Sequence, residues 1–380
     1  MDFTLSEEQR QLQERAYRFA VEKLGPLSKK YDQEEKFTRE VVRMACEAGL
    51  VGCFIPKQYG GPGYGSLEVA LAMEQVCRID MGLGMAAMGA ATFGSENIVF
   101  FGTEEQKRKY LPRLVKGELL SAGAYTEPDS GTDVVSGRTT AIRQGDEYVV
   151  NGSKIFITNG TVCDYMITFC ITSPEAENRY RRHSLVLIEA DRKGITKQKI
   201  AGKMGIRATD TAEISFKDVH VPRENLIGQE GMGFYHVMHF FDVTRTMVAA
   251  QGVGVSQGAL DRTVKYVQEK NFKAKPLSTY QRVQFLLAEM ATKIELIRNI
   301  TYKAAWKVDR GEIDPKLNAM AKYISGEMAV WVCDMAVRLH GEYGYQADSD
   351  IQRSYRDAKI LEIYEGAKEA EKLTIARRLF

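Results

Sequence analysis

Near the end of the chain, Tyr355-Arg356-Asp357-Ala358-Lys359-Ile360-Leu361-Glu362-Ile363-Tyr364-Glu365-Gly366 sets a carboxylate directly before a glycine. Ile360, Ile363 and Tyr364 recur at helical spacing, so the stretch is expected to bury one face. It should close on Glu365, with Gly366 taking the left-handed conformation that ends helices. A carboxylate held at such an end can be tuned by burial into a general base. Exposed Glu-Gly pairs also end ordinary helices, so Glu365 gains weight only from its companions. Asp242 and Arg245, three apart, form either a surface ion pair or an anchor for a polar ligand. His236, His239 and Asp242 share one helical face, but no metal motif has that form; helix packing explains the spacing and no metal is expected.

The elements that must position these groups follow an α, β, α order. Residues 1–120 read as helices, with capping boxes at Ser6-Glu7-Glu8-Gln9 and Thr103-Glu104-Glu105-Gln106. Leu12, Ala16, Phe19, Ala20 and Val21 form an apolar stripe, and Pro56, Gly60, Gly61, Pro62 and Gly63 mark a loop. Residues 121–230 shift to short β-branched and aromatic runs: 148–150, 155–157, 165–172, 184–188 and 212–221. Gly145-Asp146, Asn151-Gly152 and Asn159-Gly160 read as turns between them, giving an antiparallel sheet or small barrel. Residues 231–380 return to long helices, predicted over 234–270, 278–310, 315–340 and 351–364, as in an up-and-down bundle.

Composition removes other classes. With 52 Lys plus Arg against 50 Asp plus Glu, the net charge of +2 gives nucleic acid or an anionic membrane no special hold. No apolar run approaches a bilayer span. Met1-Asp2-Phe3-Thr4 opens neither a signal nor a transit peptide. A soluble cytoplasmic protein is expected, a mature mitochondrial matrix form being the other option. The six cysteines include no Cys-x-x-Cys pair and are expected as buried free thiols. There is no Gly-x-Gly-x-x-Gly after a strand, no Walker loop, no Gly-x-Ser-x-Gly and no His-Glu-x-x-His.

Four segments carry a resemblance: Tyr125-Thr126-Glu127-Pro128-Asp129-Ser130-Gly131-Thr132-Asp133, Asn151-Gly152-Ser153-Lys154-Ile155-Phe156-Ile157-Thr158-Asn159-Gly160, Phe241-Asp242-Val243-Thr244-Arg245 and Ile363-Tyr364-Glu365-Gly366. In order and spacing they resemble the acyl-CoA dehydrogenase family, in look closest to its medium-chain and butyryl members, and the likeness runs from Phe3 to the C-terminal helix. It implies an N-terminal helical domain, a middle antiparallel β domain and a C-terminal four-helix bundle, assembled as a homotetramer. It also implies FAD as cofactor, an acyl-CoA thioester as substrate and electron-transferring flavoprotein as redox partner. Glu365 would take the α-proton while the flavin takes the β-hydride. Carried over, Tyr125, Thr126, Phe156 and Thr158 would line the flavin ring and Thr132 approach its pyrophosphate. Asp242, Arg245 and Tyr364 would face the CoA. Hydroxyls and an aromatic face suit a flavin whose charge changes during turnover.

The chain departs from the family pattern where the distal half of FAD is bound. Phe272 and Gln281 persist, but Glu269 stands for an Arg that would reach a neighbouring subunit's flavin, and a carboxylate there repels a pyrophosphate. In Arg338-Leu339-His340-Gly341-Glu342-Tyr343-Gly344, Arg338 replaces a Gln and Glu342 a small residue; Ala367 replaces a Thr. FAD is expected still to bind, with Arg338, Gly341 and Gly344 in its contact set. The alternative is a flavin-poor or CoA-binding subunit of a mixed oligomer. The small residues Gly82, Gly84, Ala86, Ala87, Gly89, Ala90 and Ala91 either widen the acyl pocket or let helices approach. Linear, branched and cyclic acyl groups all remain open.

Overall fold

Both capping boxes form. Ser6 Oγ accepts from the Gln9 N–H at 3.1 Å while Gln9 Oε1 accepts from the Ser6 N–H at 2.9 Å, and Thr103 and Gln106 repeat the exchange. The computed structural model describes residues 4–380; Met1, Asp2 and Phe3 lie outside the described residues. The first unit comprises α1 (Glu7–Phe19), α2 (Gly25–Glu34), α3 (Arg39–Glu47), α4 (Ser66–Ile79), α5 (Met81–Gly84), α6 (Glu96–Phe101) and α7 (Glu104–Val115). Leu12, Ala16, Phe19 and Ala20 are buried, but Val21 is 42% exposed. A π turn over Ala20–Leu24 carries the chain between α1 and α2, and Val21, next to Ala20, falls off the apolar face.

The strands are β1 (Ser121–Ala124), β2 (Thr140–Gln144), β3 (Glu147–Thr158), β4 (Tyr165–Ile171), β5 (His183–Glu189), β6 (Ile195–Lys199), β7 (Thr211–Pro222) and β8 (Leu226–Ile227). They form one mainly antiparallel sheet in the order β6-β7-β3-β2-β4-β5-β8, with β1 added in parallel to β4 and a single parallel bridge from β2 to β4. Among the described residues the end strands β6 and β8 do not pair, so the sheet stays open. Gly145-Asp146 makes the β2–β3 hairpin. Asn151-Gly152, expected as a turn, is instead a bulge inside the continuous β3, which carries both Tyr148–Val150 and Ile155–Ile157. Gly152 sits at φ 143°, where a Cβ would lie 2.5 Å from Thr139 Oγ1. The glycine therefore serves a close crossing within the sheet.

The last unit runs α8 (Gly233–Glu269), the short strands β9 (Asn271–Phe272) and β10 (Lys275–Pro276), α9 (Gln281–Asp309), α10 (Pro315–His340), α11 (Glu342–Tyr345), α12 (Asp350–Ala358) and α13 (Lys368–Ala376). α8 and α10 run side by side in the same direction. Asn318 Nδ2 donates to Asp242 O at 2.6 Å, Ser325 Oγ to Ala249 O at 2.6 Å and Tyr266 OH to His340 O at 3.2 Å. One apolar core spans both helical units, with Leu12, Val76, Val253 and Val332 in it. Gly254 and Gly258 seat α4 against α8: a Cβ there would lie 2.3 and 1.9 Å from the Glu74 and Arg78 carbonyl oxygens. Among the described residues no helix is long and apolar enough to cross a membrane.

The helix expected to run to Tyr364 stops at Ala358. A 3₁₀ turn follows over Lys359–Glu362, and Ile363 is 57% exposed. α10 captures this segment. Gly326 lets the Leu361 carbonyl approach to where a Cβ would stand 2.8 Å away, and Lys322 Nζ donates to Gly366 O.

Candidate active site

Glu365 sits on the loop between the 3₁₀ turn and α13, at φ 50° and followed by Gly366 at φ 105°. A non-glycine residue held left-handed is costly and turns its side chain away from the helical path. The side chain points into the bundle, where Thr244 Oγ1 donates to Glu365 Oε2 at 2.6 Å. Burial pushes the Glu365 carboxyl above the usual range, opposed by the Thr244 hydrogen bond and by the Lys322 and Arg245 charges. Among the described residues its backbone N–H has no acceptor.

Arg245 lies between three acidic residues. Its guanidinium meets Asp242 at 3.0 Å and Glu371 at 3.1 Å, and its Nε approaches the Glu365 carbonyl at 3.5 Å. Both Asp242 and Arg245 are largely buried, so their pairing is not a loose surface bridge. Burial raises the Asp242 and Glu371 carboxyls, and it lowers the Lys322 ammonium, which Glu371 and Glu365 draw back up. Tyr364 turns inward, its hydroxyl bonding Gln251 Oε1 and lying 4.0 Å from Met85 Sδ. It stands apart from the Asp242–Arg245 pair. His236 stacks on Phe101 with centroids 4.0 Å apart and His239 meets Phe100 edge-on, so packing accounts for both.

The β-domain residues assemble around a buried ion pair. Lys154 Nζ, fully buried on β3, meets Glu127 Oε1 at 2.8 Å and the Tyr125 carbonyl at 3.2 Å. The Glu127 carboxylate also accepts the Arg138 and Thr139 N–H groups, at 2.6 and 3.0 Å. Together with the Ile155 N–H donating to Thr126 O at 3.0 Å, this fixes the 125–133 loop on β3. Among the described residues, the half-buried Thr126 and Thr158 hydroxyls have no hydrogen-bond partner. Phe156 holds φ 59° and exposes 64% of its surface. Free hydroxyls beside a strained, outward aromatic fit a planar polar ligand such as a flavin. Thr132 lies exposed on the same loop, whereas the Tyr125 ring turns into an aromatic cluster with Phe93, Phe240 and Phe241, its hydroxyl accepting from Asn97 Nδ2 at 3.0 Å.

Family models for the N-terminal, middle and C-terminal domains of acyl-CoA dehydrogenase match residues 6–118, 122–219 and 231–380. The chain belongs to the acyl-CoA dehydrogenase family. It is 40% identical to an acryloyl-CoA reductase (NADH) of Anaerotignum propionicum, over all of this chain and 96% of that one. The butyryl-CoA dehydrogenase of Megasphaera elsdenii superposes with a TM-score of 0.95 at 35% identity, covering both chains fully. A chain solved in work on the electron transferring flavoprotein of Acidaminococcus fermentans superposes at 0.97, with 38% identity and full coverage of both. As an acyl-CoA dehydrogenase family member, the protein is an oxidoreductase acting on acyl-CoA.

The remaining family positions lie elsewhere. Phe272, Gln281, Arg338, Gly341 and Gly344 gather at the far end of the bundle, where Tyr266 stacks on His340 at 4.1 Å and Lys270 covers Tyr343 at 4.4 Å. From Thr244 to Tyr266, α8 rises roughly 33 Å at 1.5 Å per residue. One chain therefore cannot bring these residues to its own Glu365. Phe272 is half exposed, and the exposed Arg338 guanidinium lies 3.9 Å from Asp334. Thr244, Lys322, Glu371 and Glu96 were not singled out from sequence. A lone acid in the apolar Phe93–Phe101 run was the one available sign, and it marks Glu96.

Proposed function

We propose that the protein is an FAD-dependent acyl-CoA dehydrogenase in which Glu365 exchanges the α-proton of the thioester. The observation that carries this reading is a buried carboxylate on a left-handed loop residue, bonded by Thr244 at 2.6 Å. Thr126, Thr132, Phe156 and Thr158 would hold the flavin, which when bound supplies the oxidant for Cβ. Breaking the Cα–H bond leaves its electron pair on the thioester as an enolate while the proton passes to Glu365 Oε. The free Glu365 N–H is available to the thioester oxygen, where negative charge develops. Burial brings the carboxylate closer in basicity to a weak carbon acid, while the Thr244 hydrogen bond and the Lys322 and Arg245 charges oppose that rise.

Asp242 and Arg245 are assigned to the CoA side of the pocket. The same carboxyl returns the proton to Cα when the reaction runs toward the saturated thioester, the direction named for the Anaerotignum relative. Exchange of electrons with an electron-transferring flavoprotein is part of the proposal, supported by the Acidaminococcus neighbour. The far-end residues would act on the flavin of a second copy, which agrees with a homotetramer.

Glu365→Gln tests the base. The variant should melt as the parent does and bind FAD equally. It should lose deuterium exchange at the acyl-CoA α-carbon and turnover with an artificial acceptor. Near-normal exchange in the variant rejects the assignment. A colourless parent protein that takes up no added FAD would instead support the alternative, a flavin-poor or CoA-binding subunit of a mixed oligomer.

A further inference from the structure

A second acid stands behind the base. Glu96 opens α6, is 5% exposed, and its Oε2 has no hydrogen-bond partner. It lines a cavity of about 10 Å³ with Met88, Thr92 and Met247, room for one water-sized group. Met247 lies one turn beyond Thr244 on α8, the residue that holds the Glu365 carboxylate. Tyr125 links the two acids, because both Glu96 and Glu365 oppose ionisation of its hydroxyl. Met88 and Met247 are unbranched and can swing aside to lengthen the cavity.

Resting on the acyl-CoA reading above, we infer that Glu96 closes the inner end of the acyl pocket and selects acyl groups that carry a hydrogen-bonding oxygen. An alkyl chain leaves the Glu96 oxygen dry and unpaired, whereas a hydroxyl or keto oxygen at the chain end satisfies it. Burial pushes the Glu96 carboxyl up to about 8, with the Glu365 charge adding to the rise, so at neutral pH it stands mostly as a neutral acid able to donate. A site built around such a donor discriminates against the analogue that lacks the partner. Among the described residues no cation pairs with Glu96, so the pocket is not built for an acyl carboxylate.

Calorimetric titration of the Glu365→Gln protein, which binds without turnover, tests this with ω-hydroxyacyl-CoA esters of four to six carbons. Each is paired with the alkyl ester in which a methyl replaces the hydroxyl. The parent pocket should favour one hydroxylated ester at least tenfold. Glu96→Met should erase or invert that preference, while Glu96→Gln should keep most of it. Equal binding within every pair overturns the inference even if Glu96→Met does not fold. Failure of all esters to bind would overturn the acyl-CoA reading with it, whereas persistent α-exchange in Glu365→Gln would overturn only the base.

Discussion

Thr244→Val removes the one hydroxyl that holds the Glu365 carboxylate and leaves the helix shape nearly intact. The bond is 2.6 Å long and Thr244 is 4% exposed, so water has little access to replace it. A hydrogen bond to a charged group contributes about 1.5–3 kcal/mol, which at about 1.36 kcal/mol per unit corresponds to about one to two units of pKa. The bond favours the ionised form, so its loss moves the Glu365 carboxyl further upward. Because the ionised form is the base, the acidic limb of the kcat/KM profile should move to higher pH by the same one to two units. Well below both limbs the variant should be about 10- to 100-fold slower; above both, the difference should shrink. The assay is the pH dependence of acyl-CoA oxidation with an artificial acceptor, on preparations of equal flavin content, with Thr244→Ser expected to return the limb. An acidic limb that does not move would refute the claim that Thr244 sets the ionisation of Glu365.

Lys154→Met strands the Glu127 carboxylate in the β domain and should lower unfolding stability by about 3–5 kcal/mol in urea titration, with loss of flavin because the Thr126 loop is released. Gly366→Ala meets both φ 105° and a Cβ position 2.0 Å from Glu371 Oε1. It should cost more than about 1 kcal/mol in thermal unfolding and slow α-proton exchange, and a variant matching the parent in both would contradict the loop geometry. Arg338→Gln should sharply lower the FAD-to-protein absorbance ratio after desalting, whereas Lys273→Gln at the same end should not. Equal ratios in the two would remove Arg338 from the flavin contact set.

The order of helices and strands was legible because helical periodicity gives way to short β-branched and aromatic runs and then returns, although β4 and β5 are buried on both faces and show no alternation. The hydroxyl-to-glutamine spacing of both capping boxes also located helix starts to the residue. Asn151-Gly152 misled because a bulge recruits the same glycine freedom as a hairpin. What decides between them is Thr139, just ahead of β2, packed against Gly152. The overrun of the helix before Glu365 has a similar origin. Ile360, Ile363 and Tyr364 keep helical spacing, but Gly326 and Lys322 on α10 capture the Leu361 and Gly366 carbonyls and unwind the segment. Glu365 itself could be found because its type and its glycine are local. Thr244 is separated from it by 121 residues, and Glu371 looks like one more acid on a charged helix until Arg245 is seen beneath it.

That buried cluster explains why a carboxylate here can be both available and basic. Asp242, Glu365 and Glu371 crowd around Arg245 and Lys322 in a dry setting, with Arg378 also acting on Asp242 and Glu362 on Lys322. Burial makes ionising all three carboxyls together costly, and it raises each of them. Uptake of the α-proton by Glu365 removes one of those buried negative charges. The Thr244 hydroxyl, Lys322 and Arg245 act in the opposite sense and favour the ionised carboxylate. A proton affinity balanced in this way suits transfer in either direction, from substrate to Glu365 during oxidation or back to Cα during reduction. Which direction prevails is then set by the redox partner, since the same carboxyl serves both.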